Sequence, residues 1–102
     1  MKVLVVAKPR FPIPPEMLPQ LLEGAIDWYR RYQERFLLFG TFPGGGGFGA
    51  VDVADEKELA RMMAEMPFSP FGEQTVTPFV EGDEGFRQFQ QVLGSMGVGT
   101  PA

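Results

Sequence analysis

Two carboxylates stand out among the few residues of this chain that can do chemistry. Asp52 closes the run Phe48-Gly49-Ala50-Val51-Asp52-Val53, where alternation places it on one strand face with Phe48 and Ala50. Apolar surroundings raise a carboxyl pKa, and such a group can take or give a proton near neutral pH. The plainer alternative is a solvated strand end beside the next helix. Glu73 opens a second strand-like run, Glu73 to Val80, and is the other candidate acid or base. Its plainer alternative is an exposed edge charge. Trp28, Tyr29 and Tyr32 share one helix face and can line a pocket for a flat, apolar ligand, with the phenols donating hydrogen bonds. Ordinary packing in a core is the plainer reading. Arg10 can grip a ligand carboxylate through a bidentate contact, or stand exposed among prolines.

What is missing narrows the chemistry further. The chain has no histidine and no cysteine. Disulfides, thiolate catalysis and the usual zinc and haem ligands are therefore excluded. Ser69 has no histidine to activate it. Gly44, Gly46 and Gly49 satisfy G-x-G-x-x-G, but a dinucleotide fingerprint opens a helix and this segment opens a strand. No phosphate-binding Gly-Lys-Ser/Thr occurs either. No metal and no cofactor are expected.

The length of 102 residues suits one domain with a modest core. A net charge of −4 with scattered basic residues argues against nucleic acid and anionic membrane as partners. The apolar run Val3 to Ala7 is too short for a signal peptide core or a membrane span, so a soluble cytoplasmic protein is expected.

These residues need elements to position them. Lys2 to Lys8 is a β-branched run bounded by charge and reads as a strand. Prolines at 9, 12, 14 and 15 make a stiff connector. A helix is expected from about Glu16 to Arg35, with Leu18, Leu21, Leu22, Ala25, Trp28, Tyr29 and Tyr32 along one broad face. Gly24 within it allows a close approach to a sheet. Phe36 to Phe42 and Phe48 to Val53 are strands joined by the glycine turn 43–47, a hairpin with a flexible tip. Asp55 to Met66 is a helix, with Asp55 as cap, Glu58 completing a capping box and Pro67 as stop. Its Leu59, Met62, Met63 and Met66 form a stripe that reads as core filler. After the turn Phe68-Ser69-Pro70-Phe71-Gly72 comes the strand Glu73 to Val80, where Pro78 favours a sheet edge. A last helix starts near Asp83 with Phe86, Phe89 and Leu93 on its apolar side. Residues 1–94 thus form the domain, and 95–102 a flexible tail.

The order β-α-β-β-α-β is the ferredoxin-like split βαβ arrangement: one antiparallel sheet with two helices on one face. The first two strands are apolar on both faces, so the face away from the helices needs cover. A second copy packed sheet to sheet supplies it. A homodimer or higher homo-oligomer is expected, with the C-terminal helix helping at the interface.

The segments Val51-Asp52-Val53, the helix with Glu58-Leu59, Met66-Pro67-Phe68-Ser69-Pro70-Phe71 and Val76-Thr77-Pro78-Phe79 resemble small proteins of the muconolactone delta-isomerase type, within the dimeric α+β barrel superfamily. The resemblance covers about residues 36–80, and elsewhere rests on element order. It implies ferredoxin-like units assembled as dimers or larger, with a pocket between sheet and helices. It also implies an activity, a proton shift within a small unsaturated lactone. This chain departs from the pattern in lacking histidine and in its proline connector and glycine hairpin, and no catalytic residue matches position by position.

Two functions follow. One is a binder of a small apolar or aromatic carboxylate-type ligand. The other is an isomerase with Asp52 or Glu73 as base and Tyr29 or Tyr32 as donor. Static light scattering at micromolar concentration should report a mass of two chains or more; a single-chain mass would overturn the two-faced-strand argument.

Overall fold

The computed structural model describes residues 1–97. Four strands, β1 (Lys2–Pro9), β2 (Phe36–Thr41), β3 (Gly47–Asp52) and β4 (Gly72–Pro78), form one antiparallel sheet in the order β2-β3-β1-β4. The order and directions are those of the ferredoxin-like fold. β4 lies at an edge, as Pro78 requires, because a proline donates no ladder hydrogen bond.

Three α-helices accompany the sheet: α1 (Leu18–Arg31), α2 (Glu56–Glu65) and α3 (Gly82–Ser95). The first is shorter than the periodicity predicts. Pro15–Met17 and Gln33–Arg35 are single 3-10 turns at its two ends, tightened where the chain must leave the helix. Asp55 caps α2 by accepting from the Glu58 backbone N–H at 2.9 Å. The Glu58 carboxylate reaches back to the Ala54 N–H at 3.4 Å, so the reciprocal arm of the box falls one residue early. α3 extends to Ser95, just past the expected Gly94, and the rest of the expected tail, 98–102, lies outside the described residues.

The core is small and lies between the sheet and the first two helices. Val3, Val51, Val53, Leu59 and Met62 are buried together, and Trp28 is buried from α1. Val3 faces Val51 across the ladder, and directly opposed residues share a face. The inner face therefore carries Val3, Val5 and Ala7 of β1, Val51 and Gly49 of β3, and Val76 and Gln74 of β4. The outer face carries Leu4, Val6, Phe48, Ala50 and Leu38. Leu4 and Leu38 are 37% and 59% exposed, so the sheet is apolar on both sides.

A bulge sets the inner face of β2. The register shifts between Phe36, opposite Val51, and Leu38, opposite Ala50. Simple alternation would separate Phe36 from Phe39. The extra residue turns both inward, and leaves Leu37 and Leu38 exposed. The Phe36 ring lies over Gly49, where a Cβ would stand 2.7 Å from the ring. Gly24 also permits a close approach, but to Pro67 after α2 and not to the sheet.

The glycine hairpin is a docked element rather than a loose tip. Phe42 donates to the Gly46 carbonyl and Gly45 to the Phe42 carbonyl, each at 2.9 Å. Gly46 has φ +84, and a Cβ there would meet the Ala7 carbonyl oxygen at 2.2 Å. Gly46→Ala should cost about 2 kcal/mol, from the left-handed backbone and the displaced carbonyl. Gly44→Ala, with open space around it, should change stability by less than about 0.5 kcal/mol. Urea unfolding of the two variants checks the contrast.

Candidate functional site

A cavity of about 560 Å³ opens between the inner face of the sheet and the first two helices. Its size suits a small organic ligand. α1 contributes Leu18, Leu22, Ala25, Ile26, Trp28 and Tyr29; the end of α2 contributes Met62, Met63 and Met66. The sheet supplies Val5, Phe36, Phe39, Val51 and Gln74, and the turn after α2 supplies Phe68 and Phe71. Gly45 and Gly46 of the hairpin and Ile13 of the proline connector stand at its edge. The connector is tethered there, because the Arg10 and Phe11 N–H groups both donate to the Phe71 carbonyl at 3.0 Å.

Ring contacts brace the wall on the α1 side. Tyr29 stacks on Phe39 with centroids 4.5 Å apart, and Phe36 meets Phe39 edge-on at 5.2 Å and Trp28 at 5.6 Å. Trp28 is buried, and its indole N–H donates to the Met62 carbonyl at 2.8 Å. The Ser69 hydroxyl donates to the Met63 carbonyl at 2.5 Å. Two carbonyls at the end of α2 are therefore already engaged. The polar side chains left along the lining are Tyr29, Thr41 and Gln74, none of which makes a side-chain hydrogen bond among the described residues.

Of the residues singled out in the sequence, Trp28 and Tyr29 line this cavity. The other four are not among its lining residues. Asp52 lies on the outer face, 48% exposed, with its Oδ1 3.2 Å from the α-amino nitrogen of Met1. Glu73 is 64% exposed at the sheet edge, 3.6 Å from the Arg10 guanidinium. Arg10 is thus turned toward Glu73 and over the Phe11 ring, 5.7 Å from its centroid. Tyr32, the C-cap of α1, packs against the core beside the Trp28 ring, and its hydroxyl donates to the Glu65 carboxylate.

Around Tyr32 lies a shallow charged cleft lined also by Arg31, Glu34, Arg35, Glu58 and Arg61. Its charges are largely paired: Arg31 with Glu65 at 3.5 Å, and Arg35 with Glu58 at 2.8 Å. This network ties the end of α1 to α2. Among the described residues, no cluster of acidic side chains is placed to hold a metal ion, and no helix is long and apolar enough to cross a membrane.

Sequence reasoning missed Gln74 and the cavity-lining methionines. Gln74 was legible, since it precedes Val76 by two and must share its face. Met63 and Met66 were not, because filler and lining have the same helical spacing.

The sheet order, the two helices on one face and the apolar hollow beneath them define a ferredoxin-like α+β fold of the muconolactone isomerase type. Solved structures that share it include the following two. Muconolactone isomerase superposes with a TM-score of 0.69 over 79% of this chain and 90% of that one, at 17% identity. 5-Chloro-2-hydroxyhydroquinone dehydrochlorinase from Burkholderia phenoliruptrix AC1100, in complex with 2,5-dihydroxybenzoquinone, gives 0.66 over 82% of this chain and 98% of that one, at 15% identity. At these identities the likeness establishes the fold. No family model matches the sequence, and neither does any curated protein.

The Tyr32–Glu65 bond has a consequence at high pH. That hydrogen bond, then burial, raises the Tyr32 pKa above the usual phenol value. A folded pKa above the unfolded one means a contribution that is complete below about pH 10 and lost as pH rises through the folded value. Thermal melts of Tyr32→Phe should therefore fall less steeply above about pH 10 than those of the parent chain.

Proposed function

We propose that this chain binds a small, flat, apolar or aromatic molecule in the cavity between the sheet and α1 and α2. The observation that carries the reading is the lining itself: an apolar hollow walled by stacked aromatic rings and methionines, with a few uncommitted polar groups. Rings offer broad contact area with little conformational loss, and thioethers adapt to an irregular surface. The two solved structures described above belong to proteins named for chemistry on small organic molecules, which agrees with this use of the hollow.

The same reading includes self-association. The outer face of Leu4, Val6, Leu38 and Phe48 suits a second sheet, and α3 displays Phe86 and Phe89, 71% and 68% exposed, along one side. Both are surfaces that a homodimer or larger assembly would bury. Isomerisation of an unsaturated lactone is the second reading, favoured by the likeness to muconolactone isomerase. It would draw its base from Asp52 or Glu73, and both stand outside the hollow beside a cation.

N-phenyl-1-naphthylamine, an uncharged dye that brightens in apolar surroundings, tests the binding reading. It should bind saturably, one per chain. Ala25→Phe, which puts a ring into the hollow, should weaken binding at least roughly 10-fold while the chain stays folded by circular dichroism. Unchanged dye affinity in that variant would overturn the reading.

A further inference from the structure

We infer that the cavity selects an uncharged ligand and rejects the carboxylate of the same shape, with Gln74 as the group that orients it. This rests on the cavity being a binding site. Three observations on different parts of the wall converge on it.

The first is the charge census of the lining. It contains no arginine and no carboxylate, and Lys8 is its single ionisable cation. Lys8 pairs across the ladder with Glu73 and follows Leu4 and Val6 in alternation, so it belongs to the outer face. What it presents to the hollow is backbone, beside Gly46, whose built Cβ would lie 3.2 Å from the Lys8 Cα. Arg10, on the connector whose Ile13 stands at the cavity edge, is directed to Glu73. A ligand carboxylate in the hollow would give up its water with no cation to meet it, and desolvating an ion costs several kcal/mol when unpaired.

The second is the position of the nearest helix end. Met62, Met63 and Met66, from the last turn and cap of α2, line the cavity, so the carbonyl end of that helix borders it. That end carries partial negative charge and disfavours an anion. Its last turn holds no lysine or arginine to offset this.

The third is the kind of polar group left over. Gln74 is half-buried on the inner face, opposite Ala7, and its amide makes no hydrogen bond among the described residues. An amide both donates and accepts, so it matches a hydroxyl, carbonyl or carboxamide. Such a match supplies orientation without net charge, and a buried site built for a neutral polar group rejects a mismatched one strongly.

The test uses two probes of nearly identical shape, 4-butylbenzamide and 4-butylbenzoate, at neutral pH. Trp28 is the only tryptophan of the chain and lines the cavity, so its emission reports occupancy, with calorimetry as a second measure. The amide should bind at least ~10-fold tighter than the benzoate. Gln74→Leu should weaken the amide about 5- to 10-fold with its thermal midpoint retained. Gln74→Arg, placing a cation in the wall, should reverse the preference. Equal or tighter benzoate binding to the parent chain overturns the charge inference and leaves the binding site standing. Binding of neither probe, together with no saturable dye binding, overturns the binding site itself. Amide affinity unchanged in Gln74→Leu removes Gln74 from the orienting role.

Discussion

The buried hydrogen bond from the Trp28 indole to the Met62 carbonyl is the contact on which the rest of this architecture depends. It fixes α1 against the last turn of α2 by a directional bond in an apolar setting, where an unmade bond is costly. It joins the helices near the end of α1, and residues of the earlier turns of that helix are less buried. Leu18, Leu22 and Ile26 stay 43%, 56% and 41% exposed, and the space beneath them is the cavity. The small set of fully buried side chains follows from the same geometry. A chain of 102 residues has little core to spare, and this one leaves much of the volume between its layers hollow. Stability lost to unfilled space is a common accompaniment of a site that must receive something.

The aromatic wall and the glycines form one device. A phenylalanine on the inner face of β2 needs room on β3, and Gly49 gives it to Phe36. Phe39 then reaches Tyr29, and the four rings of Trp28, Tyr29, Phe36 and Phe39 brace one another. At the other end of the hairpin, Gly46 lets the turn lie on the Ala7 carbonyl. The hairpin thereby becomes part of the cavity rim. Charged groups are kept off this wall: Asp52, Glu73 and Arg10 are each engaged elsewhere.

Much of the fold was legible because it depends on local rules. Asp55 with Glu58 marked the start of α2, Pro67 its end, and Pro78 the edge strand. The alternation of Val3 to Ala7 indicated a sheet with two apolar faces. The site was less legible. Trp28 and Tyr29 belong to the cavity, whereas Tyr32 on the same helical stripe does not: it packs against the core at the end of α1, with its hydroxyl on Glu65. Arg10 and Glu73 each looked like a free charge, and the register of β1 with β4 brings them together across the sheet edge.

The sequence by itself determined the type and order of the elements, the two-sided apolar sheet and the absence of histidine and cysteine chemistry. These are set by residue type, period and cap, which act over a few neighbouring positions. Tertiary structure alone decided that a hollow exists, how it is walled and that its lining is nearly free of charge. The β2 bulge shows why. Whether Phe36 and Phe39 point to one face or to two depends on a single extra residue in the pairing of β2 with β3. That choice is made by the partner strand and the helix above it, and nothing in the local run Phe36-Leu37-Leu38-Phe39 encodes it.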